Sequence, residues 1–306
     1  MNTYTKFVAG AWLCVFSSFS QAMPSDLNST VLALTANYNN VVENCGSAGR
    51  PAFLCSGVII RVTKASPNYH AWDPSPLAKK RGGVSFSYLR KDIPFDRLAG
   101  SSGSGIIYYP SMSKPEGKGR AEVLCSFPSD GYTDTRPSKA GCGPNIAYPK
   151  NSDDCQTMGI QDAAAWYKNF YQGVTGRERY KHQCAFNVDI KTPNSAVAFR
   201  ESIKAQQLLK KDKPDLPWNE LIIKTWETDV KGITIEAEKL PIQAFFYTFG
   251  KTNSLSDARF YQRDYYETTR IMIPIVGITL PKDGTDAIQF YYNEMDQHHV
   301  NCSIID

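Results

Sequence analysis

Three short stretches place polar residues where chemistry could use them. Arg61 closes the apolar, β-branched run 53–62. An arginine there either neutralises a buried carboxylate or offers its planar fork to a phosphate. Ser85-Phe86-Ser87 sets two hydroxyls on one face of a strand, because residues two apart point the same way. Trp218-Asn219-Glu220 puts a carboxylate at the start of an apolar strand that Leu221, Ile222 and Ile223 would anchor. His70 and Trp72 lie together in a loop rich in proline and serine. The dinucleotide fingerprint G-x-G-x-x-G, the P-loop, H-E-x-x-H and G-x-S-x-G are all absent from the sequence. With 4 histidines in the chain, a hydrolytic triad would have to lean on His70 or His182. A glycan or peptide hydrolase would instead need carboxylates such as Asp264 or Glu294, which nothing around them singles out.

The elements that must position these residues follow from periodicity and turn signals. Helical spacing of Val31, Leu34 and Tyr38 predicts an N-terminal helix over 29–43. Strands are predicted over 53–62, 84–90, 106–109, 220–226, 242–249, 272–280 and 287–292, and helices over 162–171, 195–210 and 255–269. This mixture has no regular βαβ rhythm, so the expected fold is α+β with a mixed, largely antiparallel sheet. Residues 110–160 are turn-rich and hold three cysteines, so irregular structure pinned by disulfides is expected there.

Lys6 followed by the mostly apolar run 7–19 and by Ser20-Gln21-Ala22 has the layout of a secretory signal cleaved after Ala22. The apolar run is shorter than the roughly 20 residues a bilayer span requires. The expected organisation is therefore a signal peptide over 1–22 and a single secreted α+β domain over 23–306, soluble and with no membrane association after cleavage. In an oxidising compartment Cys45, Cys55, Cys125, Cys142, Cys155 and Cys184 read as disulfide candidates, with neighbours along the chain as one possible pairing and Cys302 left over. No C-x-x-C or H-x-x-x-H spacing supports a metal site. Hydrophobic residues make up 42% and charged residues 21% of the chain, as in an ordinary folded protein, and the net charge of +4 is too small and scattered to argue for nucleic acid.

In this order, Arg61, then Ser85-Phe86-Ser87, then Glu220 resembles the R-S-E pattern of ADP-ribosyltransferase-fold enzymes, written there as Arg, Ser-Thr-Ser, and Glu-x-Glu or Gln-x-Glu before aliphatic residues. CSGVIIR, HAWDPSP, GGVSFSYLR, NELIIKTW, PIQAFFY and ARFYQRDYYETT with IMIPIVGITLP are similar to the halovibrin group, secreted bacterial proteins described as ADP-ribosyltransferases and NAD glycohydrolases. These stretches span residues 55–281. The resemblance implies a sheet of ADP-ribosyltransferase-like type, NAD as substrate with no further cofactor, and catalytic roles for Glu220, Arg61 and Ser85. Arg61 would hold the pyrophosphate or nicotinamide ribose, and Ser85 would position the ribose and the carboxylate. Glu220 would bond the ribose hydroxyl and stabilise positive charge as nicotinamide leaves, while Ser87 would support its strand. Tyr88, His70 and Trp72 are the further substrate-binding candidates, beside Trp226 and Phe245 as stacking residues.

Three departures qualify what the resemblance implies. The gap from Ser87 to Glu220 is far longer than is typical of that fold and would need a large insertion, the disulfide-rich region 110–190. Phe86 replaces the middle threonine, and Trp218 stands where arginine-directed transferases carry their first acidic residue. The departure at Trp218 favours water as the acceptor, hence NAD glycohydrolase activity. Glu236-Ala237-Glu238 is a literal Glu-x-Glu but precedes Lys239-Leu240-Pro241 rather than an aliphatic strand, and ranks second to Glu220. Beyond NAD, the partners implied are an acceptor protein or an immunity protein. The competing class is a non-catalytic secreted binding or adhesion module using the same α+β body.

Overall fold

The computed structural model describes residues 25–64, 66, 68–93, 95, 97–98, 103–129, 154–172, 183–212, 218–225, 236–281 and 287–298. The expected export signal and Cys142, His182, Trp226, His299 and Cys302 fall outside these residues. The helices are α1 (Ser25–Asn39), α2 (Pro76–Arg81), α3 (Ala163–Phe170), α4 (Ser195–Asp212) and α5 (Ser254–Thr269). The strands are β1 (Val58–Val62), β2 (Gly83–Leu89), β3 (Ser104–Tyr108), β4 (Val123–Phe127), β5 (Phe186–Asn187), β6 (Glu220–Lys224), β7 (Ile242–Thr248), β8 (Ile275–Thr279) and β9 (Gln289–Tyr291). They form one nine-stranded sheet in the order β5-β4-β6-β2-β1-β3-β7-β8-β9. Every neighbouring pair is antiparallel except β7 and β8, which α5 connects.

Alternation along the central strands sorts their side chains onto two cores. Ile59, Val84, Phe86, Tyr88, Ile106 and Tyr108 pack on one face with Phe199 of α4 and Tyr261 and Tyr265 of α5. Val58, Ile60, Leu89, Ile107 and Phe246 pack on the other with Leu34 and Tyr38 of α1. β7 is buried along its whole length, which explains why its sequence is mostly apolar rather than alternating, with Gln243 and Thr248 as its polar members.

The ladder between β1 and β2 is short. It runs from Val58 opposite Leu89 to Ile60 opposite Ser87. Beyond that, β1 keeps pairing with β3 through Arg61 opposite Ile106 and Val62 opposite Gly105. The remainder of β2 pairs with β6, Gly83 opposite Lys224 through Phe86 opposite Leu221. The sheet therefore forks, with Arg61 and Val62 on one arm and Gly83–Phe86 on the other.

The described part of the region 110–190 carries the Cys155–Cys184 disulfide but is not wholly irregular. β4 inserts between β5 and β6 as an integral strand, and α3, whose N-terminus Asp162 caps by accepting from the Ala165 amide, packs beside α4. The disulfides Cys45–Cys55 and Cys155–Cys184 join neighbouring cysteines in the chain. Cys125 is also disulfide-bonded. No helix among the described residues is long and apolar enough to cross a membrane.

Gly105 decides how closely the Arg61 arm can lie against β3. A Cβ at Gly105 would stand 1.9 Å from the Arg61 carbonyl oxygen, a backbone atom that cannot swing aside. Gly105→Ala should therefore cost about 3 kcal/mol of stability. Chemical denaturation checks this, and an unshifted midpoint would show that β1 and β3 can separate freely here.

Candidate active site

The fork borders an open cavity of about 260 Å³. Ile60, Arg61 and Val62 line one side, Gly83 through Ser87 the other, and Ser75, Leu77 and Ala78 at the start of α2 complete the wall. α2 is short, yet both its ends are fixed: the Ser75 hydroxyl accepts from the Ala78 amide, and Gly82 closes the helix in the left-handed region at φ 68°. Sequence patterning missed this helix, although a serine cap before Pro76 and the later Gly82 are its two signals.

Ser85 and Glu220 meet across β2 and β6. The Ser85 hydroxyl donates to Glu220 Oε1 at 2.6 Å. With Phe86 opposite Leu221, Glu220 stands level with Ser87 and reaches diagonally to Ser85 on the same face. Ser85 is half-buried and lines the cavity, whereas Glu220 is 4% exposed and lies one hydrogen bond behind that wall. Ser87, also buried, borders the cavity where the fork begins.

Arg61 reaches the cavity from the opposite face. It follows Ile60, which shares a face with Ser87, so alternation turns its side chain toward Phe86, and its Cζ lies 6.0 Å from the Phe86 ring centroid. Its Nη1 is enclosed and has no hydrogen-bond partner. Burial draws the guanidinium below its ordinary pKa, while Tyr108, Tyr69 and Asp73 act in the other direction. An arginine nitrogen held without an acceptor is costly, and an anionic ligand would remove that cost. Arg61, Ser85 and Ser87 thus line one cavity with Glu220 behind Ser85, and Arg61 lies on the opposite face of the sheet from the Ser85–Glu220 pair.

The other candidates divide. Tyr88 is fully buried, bonds Ser56 Oγ at 3.0 Å and packs edge-on against Phe199, so it is a core residue and does not face a ligand. Trp72 and Phe245 are likewise fully buried. His70 does not line the cavity either. It stacks on Trp72 with ring centroids 4.5 Å apart, and Asp264 accepts from its Nδ1 at 2.7 Å and from Trp72 Nε1 at 3.0 Å. Together they fasten the loop between β1 and α2 onto α5. Asp264 lies 194 residues from His70, and sequence reasoning had no means of joining them. Glu236 and Glu238 are exposed on a 3-10 turn away from the cavity, with Glu236 paired to Lys239. Among the described residues no group of histidine, cysteine and carboxylate side chains is arranged to hold a metal ion.

Compared with known proteins, the chain matches no family model and no curated protein sequence. Its chemistry must therefore be read from its own side chains.

The His70 clasp makes stability depend on pH with a definite sign. The hydrogen bond to Asp264 raises the His70 pKa, burial opposes it, and the charges of Asp264 and Asp73 add to the rise. A group raised on folding contributes fully below its unfolded value, about 6.5, and loses that contribution as pH climbs through the folded value. The parent should exceed His70→Gln in thermal midpoint most clearly below about pH 6, with the gap narrowing at alkaline pH. A gap that widens with pH would contradict this account of the clasp.

Proposed function

We propose that this protein is a secreted enzyme that cleaves the nicotinamide–ribose bond of NAD, with hydrolysis favoured over transfer of ADP-ribose to protein. The observation that carries the reading is the Ser85–Glu220 hydrogen bond of 2.6 Å at the wall of a cavity that Arg61 also lines. Cleavage of an N-glycosidic bond passes through an oxocarbenium-like state, which a nearby carboxylate stabilises. Ser85 fixes Oε1 of Glu220, and the carboxylate so held is the group that would stabilise the ribose as charge develops. The enclosed Nη1 of Arg61 supplies a donor for the pyrophosphate or ribose. A cavity of about 260 Å³ is small beside the roughly 300–1,000 Å³ of sites that enclose a whole ligand. It suits the nicotinamide riboside end of NAD, with the rest of the dinucleotide lying toward the mouth of the fork.

Water is the favoured acceptor because Trp218 offers no acid–base group two residues before Glu220. Its side chain packs on the core beneath α1, and its Nε1 is enclosed without a partner. The disulfides Cys45–Cys55 and Cys155–Cys184 are compatible with a protein that works in an oxidising compartment. The burial of Glu220 behind Ser85 favours the competing reading, a non-catalytic binding module in which the pair is structural. Nicotinamide release from NAD by the oxidised protein, measured beside Glu220→Gln, separates the two. The parent should release nicotinamide, and the variant should be slower by about 10²–10³-fold. Undiminished release by a folded variant would move the carboxylate elsewhere, and no release by the parent would leave the binding module.

A further inference from the structure

We infer that Asn219 is the positioning residue that holds Glu220 in reach of the cavity, an assignment that rests on the reading of Glu220 as the catalytic carboxylate. Asn219 directly precedes Glu220 and is 1% exposed. Its Oδ1 accepts from the Tyr88 amide at 2.8 Å, and its Nδ2 donates to the Tyr88 carbonyl at 3.0 Å. The same Nδ2 also donates to Oε1 of Gln206 on α4 at 2.8 Å. Gln206 is itself 1% exposed.

The register of β2 with β6 explains why a side chain does this. β2 and β6 pair as far as Phe86 opposite Leu221, so continuing the ladder brings Asn219 level with Tyr88. At that level the chain has not yet entered β6, and the Asn219 amide supplies both ladder bonds that a backbone peptide would have made. A carboxamide is a planar donor–acceptor pair like the peptide group itself. Aspartate would turn a donor into a second acceptor facing the Tyr88 carbonyl and Gln206 Oε1, and alanine would leave all three partners unmet.

The rung fixes β6 to β2 one residue from Glu220, and the carboxylate acts only if it stays within bonding distance of Ser85, which β2 also carries. A displacement of about 1 Å at a reacting group costs on the order of 10²-fold in rate. Gln206 extends the support to α4, so the carboxylate is held by a second layer of fixed hydrogen bonds beneath the one it makes itself. None of these groups lines the cavity, and NAD binding should not sense their loss directly.

The test is steady-state nicotinamide release from NAD by the parent, Glu220→Gln, Asn219→Ala, Gln206→Ala and Ile278→Val. The last is a buried β8 substitution outside the site that controls for lost stability. All are assayed where each remains folded by circular dichroism. Asn219→Ala should lower kcat by about 10–100-fold with KM within about two-fold, and Gln206→Ala should lower kcat by a smaller factor in the same pattern. Ile278→Val should leave both constants near the parent's. If Asn219→Ala does not fold, the Gln206→Ala result decides: an unchanged kcat overturns the assignment. A kcat for Asn219→Ala equal to that of Ile278→Val, or a loss confined to KM, overturns it too while leaving the NAD reading intact. A parent that releases no nicotinamide removes both.

Discussion

The brevity of the ladder between β1 and β2 is the constraint on which the rest depends. Had the two strands stayed paired to their ends, Arg61 and Val62 would face Gly83 to Phe86 across a closed row of backbone hydrogen bonds, with no interior space between them. Instead each strand gives up the other after Ile60 and Ser87 and keeps only its outer neighbour. The outer ladders hold the two arms rigid, so the gap is set by backbone geometry rather than by mobile loops. α2 and the loop before it then cover the gap, and Asp264 fastens that loop by accepting from both His70 and Trp72.

Two polar arrangements border that gap, and they stand in contrast. Glu220 is buried but receives the Ser85 hydroxyl, and its strand is keyed to β2 by the Asn219 amide. Arg61 is placed with equal definition yet keeps one nitrogen enclosed and unmatched. Buried polar atoms without partners are uncommon because they forfeit hydration with nothing in return. The combination of a satisfied acid and an unsatisfied base on either arm gives the cavity a direction, with anionic charge best accommodated on the Arg61 side.

Much of the framework was legible in the chain. The runs around Val58, Gly83, Ser104, Ile242 and Ile275 carried enough β-branched and aromatic residues to declare strands, and the α4 and α5 patterns were periodic enough to declare helices. β4 was hidden because Val123-Leu-Cys-Ser-Phe127 is short and sits among turn-forming residues, and two-residue β5 has no pattern to read. Ser85 and Ser87 could be put on one face by counting. That Glu220 shares that face and Arg61 does not depends on the registers of β1 with β2 and of β2 with β6, which are set by contacts far apart in sequence. Tyr88 and Trp72 were candidates for stacking because an aromatic side chain looks the same whether it will line a cleft or fill a core. Only the helices packed above them settle that they fill the core.

The order of strands has one further consequence, at the borders of the sheet. A wide sheet exposes a row of unpaired amide and carbonyl groups along each outermost strand, and long flat rows invite another chain to add itself. Here the borders fall to the two shortest strands, Phe186–Asn187 and Gln289–Tyr291. Each offers too few groups to template a stable intermolecular ladder. Among the described residues the wide sheet is thus bordered by short strands, one of the ways in which edge-to-edge pairing is discouraged.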